Sequence, residues 1–135
     1  MSEGADKDLV QAARDAREHA YAPYSGFQVG SALRARSGRI FTGCNVENSS
    51  YGLTICSERV ALSKAVSEGE SEFDAIVVCA PGAPAPCGAC RQVLYEFSPD
   101  LVVFLVDPQK DAVGRVSLKQ LLPSAFDGSS LSPTC

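Results

Sequence analysis

Two cysteine-containing segments of this 135-residue chain must meet in space if they are to act together, and this requirement constrains the fold more than any other feature. The first segment is Cys56-Ser57-Glu58, and the second, Pro86-Cys87-Gly88-Ala89-Cys90, has its first cysteine 31 residues further along. Three thiolates can hold a tetrahedral zinc ion and leave its fourth position free for water. The pattern therefore indicates a catalytic zinc site formed by Cys56, Cys87 and Cys90, rather than a closed structural site.

The composition is typical of one domain with little affinity for polyanions. A chain of 135 residues, 45% hydrophobic and 21% charged, is long enough to bury one core and too short for two. We therefore expect a single domain over 1–135. The net charge of −4 argues against nucleic acid as a partner, because affinity for a phosphate backbone depends on lysine and arginine. A small substrate with little charge fits this composition better.

The six cysteines are predicted to be reduced thiols. An even number would suggest disulfides in a short secreted chain, but 1–8 is polar and acidic, without the apolar core of a signal segment. No apolar run reaches the roughly 18 to 20 residues of a membrane span. We therefore expect a cytoplasmic protein without a membrane partner. Cys44 and Cys79 lie in apolar runs, where cysteine packs as a small hydrophobe, and Cys135 is expected to be a free terminal thiol.

The hydrophobic patterns predict an α/β fold built on a layered, mixed sheet. Apolar residues recur at helical spacing over 8–21 and Pro23 ends the run, which predicts a first helix. Alternating apolar residues over 27–33, a Ser37-Gly38 turn and a return strand over 39–46 predict a β-hairpin with one buried face. The remaining elements are predicted as a helix from 55 or 56 to 69, a strand over 75–80, a helix over 87–97, a strand over 101–106, a short strand over 113–116 and a short helix over 117–122. Two apolar strands joined by a helix predict parallel pairing beside the antiparallel hairpin.

Both cysteine segments lie at or near predicted helix N-termini. Unpaired backbone N–H groups and the helix dipole favour a thiolate over a thiol there. The predicted role of Glu58 is proton transfer, although any first helical turn favours an acidic residue. The charge of three thiolates exceeds that of Zn²⁺, so a nearby cation is expected to compensate. Arg59 is predicted either to donate to the sulfurs from outside the ligand set or to be an ordinary exposed helix arginine.

Two other interpretations of the cysteines stay open from the sequence. Cys87 and Cys90 have the spacing of a redox dithiol, an interpretation that leaves Cys56 and Glu58 unexplained. His19 is the only histidine, and it would complete a closed structural site if it served as a fourth ligand. A solvated histidine near the end of the first helix is the preferred explanation.

Five segments carry a resemblance to a known family: 21–30 (YAPYSGFQVG), 42–48 (TGCNVEN), 50–59 (SYGLTICSER), 86–93 (PCGACRQV) and 121–126 (LLPSAF). The cysteine segments match the pattern of zinc nucleobase deaminases, in which the glutamate transfers protons and is not a ligand. Over about 9–126 the chain resembles the small cytidine deaminases of pyrimidine salvage. The resemblance implies a three-layer α-β-α fold with a five-stranded sheet, one Zn²⁺ per chain and a homotetramer.

The resemblance also implies which residues contact a nucleoside. Asn45 and Glu47 would hold the ribose hydroxyls, and Phe27 would pack against the nucleoside. Phe126 would stack on a base bound in a neighbouring subunit, with Tyr51 close to the same shared pocket. Without the resemblance, the two polar residues would be expected to cap a loop edge and the two phenylalanines to lie in the core.

Ser57 is a visible departure from the family, which usually has alanine between the cysteine and the glutamate. In relatives the backbone N–H of this residue contacts the pyrimidine carbonyl, a contact that needs no particular side chain. The departure is therefore expected to affect substrate fit more than the reaction.

The predicted activity is zinc-dependent hydrolytic deamination of cytidine and 2′-deoxycytidine to uridine and 2′-deoxyuridine, with release of ammonia. Three alternatives remain. A deaminase of another aminopyrimidine, such as a blasticidin-type enzyme, would share the zinc site but not the ribose contacts of Asn45 and Glu47. A polynucleotide cytosine deaminase would need a basic groove. A non-enzymatic zinc module would close the metal with a fourth protein ligand.

Overall fold

Helices and strands follow one another in the predicted order. The computed structural model describes residues 6–131, so Cys135 lies outside the described residues. The elements are α1 (Lys7–Arg17), β1 (Gly30–Ala35), β2 (Ile40–Cys44), α2 (Ser57–Ser67), β3 (Phe73–Cys79), α3 (Gly88–Phe97), β4 (Val102–Val106), β5 (Val113–Ser117) and α4 (Leu118–Leu121). Short 3-10 helices lie at Tyr51–Leu53 and Gly128–Leu131.

The strands form one mixed sheet in the order β2-β1-β3-β4-β5. Strand β1 is antiparallel to both β2 and β3, β3 and β4 are parallel, and β5 returns antiparallel to β4. The predicted five-stranded mixed sheet with an N-terminal hairpin is therefore confirmed. Its parallel part consists of β3 and β4, the two strands joined through α3.

Successive residues along each strand point to opposite faces of the sheet, and both faces are covered. On one face Leu9 and Ala13 of α1 pack in a buried cluster with strand residues that include Ala32, Val77 and Phe104. On the other face Ala61 and Leu62 of α2 and Leu94 of α3 pack in a second buried cluster with strand residues that include Leu33 and Ile76. The three-layer α-β-α arrangement is confirmed.

The prediction that the hairpin has one buried face is wrong for β1. Its residues Gly30 to Leu33 are all buried, because β1 lies between β2 and β3 in the sheet and contacts both α1 and α2. A Cβ at Gly30 would stand 2.2 Å from the Ala13 carbonyl oxygen, so α1 rests directly on the backbone of β1. A sequence alternation cannot distinguish a solvated face from one covered by a helix that uses small residues.

Helix α1 ends at Arg17, four residues before the predicted end at Tyr21. Tyr21 is extended instead, because its N–H donates to the carbonyl of Asn45 at 3.0 Å and its own carbonyl accepts from Glu47 at 2.9 Å. This long-range pairing outweighs the local helical pattern, and it fixes the chain before β1 beside the end of β2.

Candidate metal centre and active site

Two helix N-termini bring the three cysteines together. Cys56 is the N-cap of α2, Cys87 is the N-cap of α3, and Cys90 lies in the first turn of α3. Neither N-cap side chain accepts a hydrogen bond from the backbone of its own helix, so both sulfurs are free to point towards each other. Gly43 of β2 contributes to this geometry, because it has no side chain that would hold the first turns of α2 away from the sheet.

The spacing of the sulfurs fits a tetrahedral zinc ion. The three Sγ atoms lie within 4.8 Å of one another, with 3.8 Å between Cys56 and Cys87 and 3.4 Å between Cys87 and Cys90. Ligands of a tetrahedral site with Zn–S bonds of ~2.3 Å stand about 3.8 Å apart. Cys56, Cys87 and Cys90 therefore form the predicted zinc-binding cluster.

The acidity of the cysteines differs within the cluster. A hydrogen bond from Cys90, followed by contacts with Arg59 and Cys87, lowers the pKa of Cys56 to about 5. The same contact with the Cys56 thiolate, together with burial, raises the pKa of Cys90. A thiolate is thus already favoured at one ligand position, and a divalent cation that binds all three sulfurs releases the remaining protons.

Arg59 lies beside the sulfurs rather than in solvent. Its side chain is half-buried, and contacts with Cys56 and Cys90 raise the pKa of the guanidinium. One terminal nitrogen, Nη2, donates to the Thr54 carbonyl at 3.4 Å. Within residues 6–131, Arg59 Nε is the one buried side-chain polar atom without a hydrogen-bond partner. The interpretation of Arg59 as an exposed helix arginine does not hold, and its positive charge faces the cluster.

Glu58 is a buried carboxyl group beside the metal ligands. Only 4% of the residue is exposed, and burial is the main cause that raises its pKa above the usual value. A hydrogen bond from Ser57 acts in the opposite direction, and the negative charge of Cys56 acts in the same direction as burial. A carboxyl group with a raised pKa exchanges protons more readily near neutral pH, which is what a proton shuttle requires.

A cavity of about 340 Å³ opens onto these groups. Six of the residues that the sequence singled out line it: Phe27, Asn45, Cys56, Ser57, Glu58 and Cys87. Its other walls are largely apolar, as is usual for a small-molecule site with a few polar groups. A neighbouring cavity of about 350 Å³ contains Glu47 and Tyr51, and Thr54 lines both cavities.

Asn45 and Glu47 both hold the segment that carries Phe27. The Asn45 amide accepts from Val29 N–H at 2.9 Å and donates to the Phe27 carbonyl at 2.8 Å, which replaces strand pairing and explains why β1 begins only at Gly30. The Glu47 carboxylate accepts from the backbone N–H groups of residues 24 and 25. Their expected part in loop-edge hydrogen bonding is observed, and each residue also lines one of the two cavities.

Phe126 and Tyr51 lie outside the metal-proximal cavity. Phe126 is 56% exposed, and its backbone carbonyl accepts a hydrogen bond from Gln92 on α3 at 2.9 Å. Tyr51 is 74% exposed and meets Tyr24 in an edge-on contact, with ring centroids 5.9 Å apart. Neither aromatic residue is buried in the core, and their contact with a nucleoside stays a prediction.

The two alternative interpretations of the cysteines find no support in the described structure. His19 is exposed and does not belong to the metal cluster. Cys87 and Cys90 are free thiols, as are the other cysteines within 6–131. No helix in that part of the chain has the length and apolar character needed to cross a membrane.

Three residues at the site were missed from the sequence. Thr54 lines both cavities, Ser25 donates to Glu47, and Ser31 of β1 contacts Ser57 behind the cavity wall. Ser31 left a signal in the sequence, because it is the one polar residue among Phe27, Val29 and Leu33 in an otherwise apolar alternation.

Three cysteine sulfurs, a guanidinium and a buried carboxyl group lie beside one cavity of this layered α/β fold. This arrangement is that of a zinc enzyme with one metal ion in each active site. The family model described as the cytidine and deoxycytidylate deaminase zinc-binding region matches residues 3–106. The chain belongs to this family.

Relatives and solved structures agree with this assignment over nearly the whole chain. A cytidine deaminase of Halalkalibacterium halodurans is 47% identical over 127 residues, which cover 92% of this chain and 96% of the relative. A cytidine deaminase of Sporosarcina psychrophila is 46% identical over 127 residues, with 92% and 93% covered. The crystal structure of cytidine deaminase from Burkholderia pseudomallei is 50% identical, with a TM-score of 0.86, and covers 90% of this chain and 99% of that one.

Proposed function

We propose that this chain catalyses zinc-dependent hydrolytic deamination of cytidine and 2′-deoxycytidine to uridine and 2′-deoxyuridine, with release of ammonia. The observation that carries the proposal is the placement of the buried Glu58 carboxyl beside the sulfur cluster, in a cavity large enough for a small ligand. The curated relatives that share the family are named cytidine deaminases at up to 47% identity.

The chemistry divides between the metal and Glu58. Cys56, Cys87 and Cys90 would hold Zn²⁺, which would act as a Lewis acid and lower the pKa of water. Glu58 accepts a proton from the attacking water and donates it to N3 of the pyrimidine, and it then accepts the proton of the hydroxyl group added at C4 and donates it to the leaving amine. Burial of Glu58 suits both steps, because a carboxyl group with a raised pKa can return the proton that it has accepted.

Arg59 is proposed to balance the negative charge of the sulfurs. Three thiolates outweigh the charge of one Zn²⁺, which would make the metal a weaker Lewis acid. The guanidinium contacts Cys56 and Cys90 and offsets part of their negative charge without becoming a metal ligand.

The substrate is proposed to lie between the metal and the segment held by Asn45 and Glu47. Phe27 would pack on the nucleoside, and Asn45 and Glu47 would bind ribose hydroxyls with the donor and acceptor capacity that their backbone contacts leave free. Ser57 is the first residue of α2, so its backbone N–H has no partner within the helix and is free to donate to the pyrimidine carbonyl.

The active assembly is proposed to be a homotetramer in which Phe126 and Tyr51 complete the pocket of a neighbouring subunit. Both side chains are largely exposed, and Leu53 and Ile55, near Tyr51 in the chain, are exposed as well. Exposed apolar side chains of this number are typical of a contact surface. We further propose a role in pyrimidine salvage in the cytoplasm, a compartment that keeps zinc-binding thiols reduced.

The test is to incubate the zinc-loaded protein with cytidine, follow the ultraviolet change on conversion to uridine, and measure ammonia in the same sample. Conversion with one ammonia per uridine would establish the reaction. A panel containing 2′-deoxycytidine, cytosine and blasticidin S would separate nucleoside deamination from that of another aminopyrimidine. A folded protein with one zinc per chain that converts none of the nucleosides would contradict the proposal.

A further inference from the structure

Two fully buried serine hydroxyls stand in line behind the Glu58 carboxyl. Ser31 lies on β1 and Ser57 in the first turn of α2, and neither has any exposed surface. Their Oγ atoms are 2.6 Å apart, and Ser57 Oγ is 2.8 Å from Glu58 Oε1. Within residues 6–131, Ser57 is the only side chain that donates a hydrogen bond to this carboxyl group.

The number of protons fixes the direction of these contacts. A serine hydroxyl has one proton to donate. When the Glu58 carboxyl group is ionised it can only accept, so Ser57 donates to it and the proton in the short contact between the serines comes from Ser31. The three groups therefore form a chain in one direction, from Ser31 through Ser57 to Glu58 Oε1, and each hydrogen bond polarises the next.

We propose that Ser31 and Ser57 are positioning residues, which form a buried hydroxyl relay that holds Oε1 of Glu58 and so orients the carboxyl group for proton transfer. The inference rests on the proposed deaminase function and adds residues to it. It also gives Ser57, at a position where the family usually has alanine, a role other than the effect on substrate fit that the sequence predicts. The hydroxyl is turned into the interior, towards Ser31 and Glu58, so it acts on the catalytic carboxyl rather than on the fit of the substrate.

A purely structural role is the competing explanation, because two buried hydroxyls can simply satisfy each other. That role would affect stability and leave turnover unchanged. A relay predicts instead that kcat depends on Ser57, that KM does not, and that Ser31 acts on kcat only through Ser57.

The experiment is a double-mutant cycle with Ser57→Ala, Ser31→Ala and the double variant, each purified with zinc and assayed with cytidine. We expect Ser57→Ala to lower kcat about tenfold, as for loss of a hydrogen bond to a charged group, with KM within about twofold of the wild type. Ser31→Ala should lower kcat about threefold, and should have no further effect when Ser57 is already alanine.

The thermal midpoints of the same four proteins give an independent readout. Ser57→Ala leaves the Ser31 donor buried without a partner, whereas the double variant removes both hydroxyls and should recover part of the lost stability. Ser98→Ala is the matched control, because Ser98 is also buried and its Oγ accepts a hydrogen bond from Phe73 N–H at 2.9 Å, away from the metal cluster. It should lower the midpoint without changing kcat.

The outcomes separate this inference from the proposed function. An active wild type in which Ser57→Ala leaves kcat unchanged would overturn the relay alone, and so would strictly multiplicative effects of the two substitutions on kcat. A zinc-loaded wild type without deaminase activity would overturn the proposed function and the relay with it. Equal zinc content and far-ultraviolet circular dichroism across the variants ensure that the comparison concerns the carboxyl group and not the metal or the fold.

Discussion

Gly43 of β2 lies so close to Ser57 of α2 that a Cβ at position 43 would stand 2.4 Å from the Ser57 carbonyl oxygen. The same Cβ would be 2.6 Å from the backbone nitrogen of Ala61, so the obstruction would come from helix backbone on two successive turns. Helix backbone cannot rotate aside as a side chain can. The hydrogen atom at Gly43 therefore determines how near α2 lies to the sheet, and with it the positions of Cys56 and Glu58.

Replacing Gly43 with alanine should push α2 outward and damage both the core and the metal site. We expect the free energy of unfolding to fall by about 3 kcal/mol, at the upper end of typical overpacking costs, and the zinc content of the purified protein to drop. Chemical denaturation and metal analysis measure the two effects. Gly128→Ala is the control, because nothing lies within 4 Å of a Cβ at Gly128. If Gly43→Ala resembled this control, the close approach would not determine the site.

Much of the fold could be predicted from the sequence because its strands and helices carry strong periodic signals. The buried runs that became β3 and β4 are continuous and apolar, and their parallel pairing follows from the helix between them. The errors at the end of α1 and at the start of β1 occurred where tertiary hydrogen bonds decide the outcome. The backbone N–H of Tyr21 donates to the Asn45 carbonyl, which ends the helical pattern. The Asn45 side chain bonds to the Phe27 carbonyl and to the Val29 N–H, so these two groups do not extend the pairing of β1.

The candidate site was predictable to the extent that it is encoded in spacing. The prediction that Cys56 lies beside Cys87 and Cys90 needed only the sequence motif and the expectation that both cysteine segments begin helices. The surroundings of Arg59 could not be decided from spacing, because an arginine at that position of a helix can face either solvent or the ligands. Ser31 could not be connected with Ser57 without the register of β1 and the closeness that Gly43 permits.

Glu58→Gln should keep the fold and the zinc while removing most of the turnover. Glutamine has nearly the same shape and can still accept the Ser57 hydrogen bond, but it cannot carry a proton between water and the substrate. We expect kcat to fall by roughly 10²- to 10⁴-fold. The assay is steady-state conversion of cytidine alongside metal analysis. Glu96→Gln, on the exposed surface of α3, should retain the wild-type rate. A Glu58→Gln protein with near-normal turnover would refute the proton-transfer role.

Arg59→Gln should weaken zinc binding, since it removes the positive charge beside the sulfurs of Cys56 and Cys90. Loss of such a contact to the ligands typically costs about 10- to 100-fold in metal affinity or activity. Competition with a chromophoric chelator measures the affinity. Arg36→Gln serves as the matched control, because among residues 6–131 the Arg36 side chain forms only an exposed pair, with Glu72 at 3.6 Å. Equal zinc affinity and equal activity in the two variants would show that Arg59 does not balance the thiolate charge.

Phe126→Ala should raise KM for cytidine and leave the zinc content unchanged, because Phe126 lies outside the cavity of its own chain and is proposed to reach that of a neighbour. The decisive measurement uses hybrid oligomers produced by co-expressing Phe126→Ala with Glu58→Gln. In such hybrids an intact Glu58 in one subunit can receive Phe126 from the other, so activity should exceed the sum of the two proteins expressed separately. Leu131→Ala, at a residue that is 69% exposed in the same C-terminal segment, should leave KM unchanged. Hybrids without a gain in activity would place the action of Phe126 within its own chain and remove the support for a shared pocket.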